Sequence, residues 1–115
     1  DMIFFFFFKL VLKEYLAAKL YYNMGNYMGN NYQSCVITAQ NALKDYPYAK
    51  LREDLSILVL RSKYEMALQS VQEKRSDRYR ETVDEYYGFK NEFPESKYSK
   101  EVEKIFKESS KEIKE

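Results

Sequence analysis

Few residues in this sequence have obvious chemical capacity. Cys35, in "YQSCV", is the sole thiol. It is a candidate reactive cysteine, but it also belongs to a stripe of small residues with Ala39 and Ala42, where it fills a small core slot. Glu81, Asp84 and Glu85 suggest paired carboxylates for acid–base work. A solvated helix face accounts for them equally, and no partner base or nucleophile accompanies them. "KRSDRYR", Lys74 to Arg80, is a basic knot able to touch phosphate or an acidic partner, and it reads more simply as a polar loop entering a helix. The chain has no His, which removes His-based general acid–base catalysis and most transition-metal sites. There is no Gly-rich phosphate loop and no cluster of metal-ligand residues. No catalytic, metal or cofactor residues are assigned, and the expectation is a protein that is not an enzyme.

The aromatic residues carry the stronger signal. Twelve Tyr and eight Phe, with no Trp, stand among 115 residues. Tyr21, Tyr22, Tyr27, Tyr32, Tyr46, Tyr48, Tyr86, Tyr87 and Phe89 cannot all be fully buried in so small a chain. Tyr suits interfaces because it brings area at low entropic cost and keeps a polar tip. Tyr22, Tyr27, Tyr48 and Tyr87 are therefore the candidate partner-binding residues. Lys and Arg total 19 against 18 Asp and Glu, a balance that gives no case for nucleic acid as a partner.

The elements that must position these residues are helical. Only three Gly and two Pro punctuate a charge-rich sequence. Spacings of three and four place apolar residues on helix faces over about 4–23, 31–45, 49–71, 78–91 and 96–114. "NMGNYMGNN" and "QEKRSDR" are the turn-like segments between them. In the third helix the stripe is Leu51, Leu55, Leu58, Val59, Ser62 and Met66. "SILVL" is β-friendly alone but lies inside that stripe. In the last helix, Tyr98, Val102, Ile105, Phe106 and Ile113 form the apolar face. Its other face alternates Lys and Glu, a solvated surface with i, i+4 ion pairs.

The chain also repeats itself. "DYPYAKLREDL" and "EFPESKYSKEV" align when shifted by 47 positions. Tyr32 then meets Tyr79, Val36 meets Val83, Ala39 meets Tyr86, Ala42 meets Phe89, Pro47 meets Pro94, and Lys50 meets Lys97. Each Pro ends one helix and suits the first turn of the next. A repeat of helix pairs implies a stacked array, because one pair cannot bury its apolar face alone. The expected fold is all-α, one helical-repeat domain over 1–115 with units of roughly 4–47, 48–94 and 95–115.

"AKLYYNMGNY" followed by "CVITAQNALKDYP" resembles a tetratricopeptide repeat. The resemblance places Ala18, Tyr21, Gly25, Cys35, Ala39, Ala42 and Pro47 at its packing and turn positions. In the second unit Tyr64, Thr82, Tyr86, Phe89 and Pro94 match. The chain departs from the family period of about 34 residues, with a longer inter-helix loop around Met28 to Tyr32. "LAAKLYYNMGNY…ALKDYPYAKLREDL" and "EYYGFKNEFPESKYSKEVEKIFKE" look like the C-terminal repeats of the BamD family, in its Bacteroidetes form. These are helical-repeat lipoproteins of the outer-membrane β-barrel assembly machinery. The resemblance covers about Leu16 to Glu108. It implies a protein–protein scaffold on the periplasmic side of the outer membrane, with POTRA domains of the barrel assembly protein and other assembly subunits as partners. The family's lipidated Cys is not matched by Cys35, so membrane association would come only through a lipid anchor outside these residues. Another periplasmic repeat adaptor, of the Tol-Pal or envelope-division kind, shares the same hinge.

"MIFFFFFKLVL", Met2 to Leu12, is far shorter than the ~20 residues of a spanning helix. It reads as helix covered by upstream repeats of a longer protein, as a truncated signal segment, or as a stretch that is not native. Phe4 to Phe8 are apolar on every side of a helix, so the expectation is that they drive self-association or mark a partner site.

Overall fold

The computed structural model describes residues 2–47 and 49–113. Among the described residues there are five α-helices and no strand: α1 (Met2–Met24), α2 (Asn31–Asp45), α3 (Arg52–Leu68), α4 (Gln72–Glu92) and α5 (Ser99–Lys111). The all-α expectation is met.

Local chemistry explains the helix ends. α1 stops at a turn in which Gly25, Met28 and Gly29 have positive φ. Gly25, at φ 56°, also has no room for a side chain, since a Cβ there would lie 2.9 Å from the Tyr32 hydroxyl oxygen. The side chain of Asn30 accepts from the backbone N–H of Gln33 and caps α2. The Asn31 side-chain amide donates to the Tyr27 carbonyl at 2.7 Å and closes the loop.

The 47-residue repeat is a repeat of backbone geometry. The residue capping α2, Tyr46, has φ −129° and ψ 64°; the one capping α4, Phe93, has φ −127° and ψ 67°. Tyr46 N–H donates to the Ala42 carbonyl at 2.9 Å, and Phe93 N–H to the Phe89 carbonyl at 2.8 Å. Ala49 to Tyr46 is matched by Ser96 to Phe93, and Arg52 to Ala49 by Ser99 to Ser96. Leu55 to Leu51 is matched by Val102 to Tyr98, both at 2.9 Å. Pro supplies no N–H and disfavours the α region in the residue before it, so each helix must stop there. The rings of Pro47 and Pro94 are exposed; they act on the path of the chain and not as core.

Two segments differ from expectation. Gln72 to Arg78 is helix, not turn, and the basic knot lies within the first turns of α4. Gln, Glu, Lys and Arg are good helix formers, and Glu73 suits the positive end of the helix dipole. The turn shrinks to Gln69–Val71, where the Ser70 hydroxyl donates to the Met66 carbonyl and Arg75 to the Ser70 carbonyl. α3 is also buried more widely than a stripe. Ile57, Leu58, Val59 and Leu60 are consecutive and all buried, so this turn is covered on every side.

By compactness the chain divides into two units, Asp1–Val59 and Leu60–Glu115, the division falling inside α3. In the first, α1 packs on α2. Ala18, Cys35, Ala39 and Ala42 are buried there with Val11, Val36 and Leu55. In the second, α4 packs on α5. Tyr79, Thr82, Tyr86 and Phe89 of α4 are buried, with Val102, Ile105 and Ser109 of α5. Ser62 and Ser109, equivalent in the repeat, are both fully buried, and neither hydroxyl has a hydrogen-bond partner among the described residues. Ser70 and Thr82, by contrast, donate to the carbonyl four residues back.

Candidate docking surface

A groove of about 380 Å³ opens on the first unit. One wall comes from successive turns of α1: Phe4, Phe7, Phe8 and Val11. Their spacing is that of one helix face. The opposite wall is the Pro47 hinge, through Tyr46, Pro47, Ala49 and Leu51. The Tyr46 ring meets Phe7 edge-on at 6.5 Å between centroids. Asp45 and Lys50 are the charged lining residues. Lys50 Nζ lies 5.6 Å from the centre of the Phe4 ring, and Lys9 Nζ lies 4.6 Å from that of Phe5. These cations stay near aromatic faces while their ammonium groups remain hydrated.

The run that builds the groove is not covered. Phe4, Phe5 and Phe6 are 59–60% exposed, Phe7 51% and Phe8 37%. Leu16, Leu20 and Met24 continue the exposed apolar surface along α1. Such continuity exceeds the scattered single residues normal on a surface.

The tyrosines singled out in the sequence do not gather there. Tyr27 is exposed in the α1–α2 turn, and Tyr22 is half-buried with its ring edge-on to Tyr32 at 5.6 Å. Tyr87 belongs to the second unit, exposed but edge-on to Tyr86 and Phe106. Tyr48 lies outside the described residues; its neighbours Pro47 and Ala49 line the groove. Of the residues given packing roles, Ala18, Gly25, Cys35, Ala39, Ala42, Thr82, Tyr86 and Phe89 are buried. Tyr21 and Tyr64 are half-buried. The groove escaped the sequence because its walls lie some forty residues apart. Half of the signal was there, in the spacing of Phe4, Phe7, Phe8 and Val11.

The second unit carries a polar network. Glu103 accepts from Lys90 Nζ and from the Tyr86 hydroxyl, both at 2.9 Å. Arg61 makes a two-point contact with Glu101, Nε to Oε2 at 2.5 Å and Nη2 to Oε1 at 2.6 Å. Glu101 and Glu103 thus add contacts beyond the i, i+4 pairing expected on α5, in which Lys107 still acts on Glu103. Their carboxylates reach other helices, because cations there lie within hydrogen-bond range. The Lys90 bond, then the Tyr86 bond, hold the Glu103 carboxyl below the usual carboxylate value. Burial, then the bond to Glu103, push the Tyr86 hydroxyl up. A carboxyl lowered in the fold stabilises above its unfolded pKa, and that stabilisation is lost as pH falls through the folded value. A hydroxyl raised in the fold stabilises fully below its unfolded pKa, and this is lost as pH rises through the folded value. Wild type should therefore lose stability below about pH 5 through Glu103. Glu103→Gln should flatten that acid limb in urea midpoints measured against pH. An acid limb of unchanged slope in the variant would show that Glu103 is not coupled to folding.

Among the described residues no group of three or more His, Cys, Asp or Glu is placed to hold a metal ion, and no helix is long and apolar enough to cross a membrane. No protein-family model matches the chain, and no curated protein matches it.

Proposed function

We propose that this chain is a non-enzymatic protein–protein interaction scaffold. The observation that carries the proposal is the open apolar groove at a repeat hinge, where α1 and the Pro47 turn leave aromatic side chains exposed on a helical frame. A surface of this kind works by burying area against a partner. The finer reading is a BamD-like component of the outer-membrane β-barrel assembly machinery. It would act on the periplasmic side, dock POTRA domains of the barrel assembly protein, and be held to the membrane by a lipid anchor outside these residues. That reading is supported by the resemblance of Leu16 to Glu108. It is tested by calorimetric titration of the chain against the purified cognate POTRA domains. Saturable binding that weakens when Tyr46 is replaced by Asp is the expected result. No heat of binding, with the chain folded by circular dichroism, would refute the assembly role and favour a Tol-Pal or envelope-division adaptor.

A further inference from the structure

α1 offers two different apolar sides. Positions 4, 7, 8 and 11 form the groove wall. At about 100° per residue, positions 2 and 6 fall on the far side of the same helix, and position 3 on its flank. On the far side Met2 is 88% exposed and Phe6 60%, and Ile3 at the flank is 67% exposed. One copy of the chain therefore carries both a receptor and side chains of the size and polarity to fill it. One charge pair also complements, Asp45 being the acid beside Lys50 in the groove lining. Lys9, an exposed residue, follows on the far side of α1, and Asp45 lines the groove.

The exposed area suits a weak, concentration-dependent contact. A Phe side chain brings roughly 150–250 Å². At the observed exposures Phe4 to Phe8 leave on the order of 500 Å² bare. Met2 and Ile3 raise the total to roughly 800 Å², which a head-to-tail contact draws from both partners together, the size of a weak, reversible interface. A partner seated only in the groove would leave Met2 and Phe6 in water. A second copy arranged head to tail covers both sides.

We propose that the occupant of the groove is a second copy of this chain, the far side of α1 from one copy entering the groove of the next. Lys9 of the entering helix meets Asp45 of the receiving copy. Such a contact does not close on itself, so association proceeds beyond the dimer as concentration rises. The inference does not rest on the assembly-machinery reading: a second copy and a POTRA domain would compete for this one groove.

The test is sedimentation of the full 115-residue chain over a wide concentration range, with circular dichroism to confirm that each variant is folded. Wild type should rise in mass past the dimer. Phe6→Asp removes the entering side, and Ala49→Trp fills the groove; each alone should remain a monomer. Mixed, they should form a dimer and stop there, because one intact groove and one intact entering side remain between them. Asp45→Lys, at an exposed helix end where Lys is tolerated, should weaken association about tenfold, and adding Lys9→Glu should restore it. A wild type that stays a monomer at all concentrations overturns the proposal. So does a wild type that stops at a dimer, or a mixture of the two variants that fails to pair.

Discussion

Replacing Ala39 with Glu is expected to destabilise the chain by about 3–5 kcal/mol. Ala39 has no exposed surface, and neither do Cys35 on its own helix and Ala18 on α1; Ala42 is 1% exposed. Where α1 packs on α2, the side chains are small and the backbones can approach closely. A glutamate there adds volume to a filled site and must either bury an unpaired charge or take up a proton. At roughly 4 °C per kcal/mol for a chain of this length, the melting temperature should fall by more than about 10 °C. Ile37→Glu is the control, since Ile37 lies on the same helix but is 49% exposed; its melting temperature should stay close to wild type. An Ala39→Glu melting curve within a degree or two of wild type would mean that the α1–α2 contact does not form around Ala39.

The second large effect is expected at Tyr86. Its ring stacks on Phe106 with centroids 4.3 Å apart and planes 16° from parallel. Tyr87 meets it edge-on at 5.1 Å. Only 6% of the residue is exposed, yet its hydroxyl reaches Glu103. Tyr86→Ala removes the ring from between α4 and α5 and should cost about 3–5 kcal/mol. Tyr86→Phe keeps the ring and removes one hydrogen bond to a charged group, a loss of roughly 1–3 kcal/mol. Urea denaturation of the two variants separates packing from hydrogen bonding. Equal losses would show that the ring contributes little and that the bond to Glu103 carries the site.

Interactions close in sequence were legible. The number of helices, the stop at each Pro, the turn at Gly25 and the small-residue face of α2 all depend on neighbours within about four residues. The start of α4 departs from its sequence pattern for a related reason. Gln72 to Arg78 lacks an apolar stripe, so its polarity reads as a turn, although its residue types favour helix. Ser62 and Ser109 show the limit of pattern in another way. Their types permit exposure, and only the packing around them leaves both hydroxyls without a partner.

By itself the sequence determined an all-helical chain and a hinge written twice, because backbone hydrogen bonds within a helix and the missing N–H of proline are local facts. It also determined that Phe4 to Phe8 could not hide behind one neighbour, since consecutive residues point around the whole helix. Tertiary structure alone decided what the aromatics do. It brought the Pro47 hinge beside α1 to make a groove, and left Tyr22, Tyr27 and Tyr87 outside it. It turned Glu101 and Glu103 from surface charges into partners of Arg61, Lys90 and Tyr86. It buried Ile57 and Leu60 as fully as the stripe beside them. Each of these depends on residues distant in the chain meeting at separations of a few ångströms, and one-dimensional spacing carries no record of that distance.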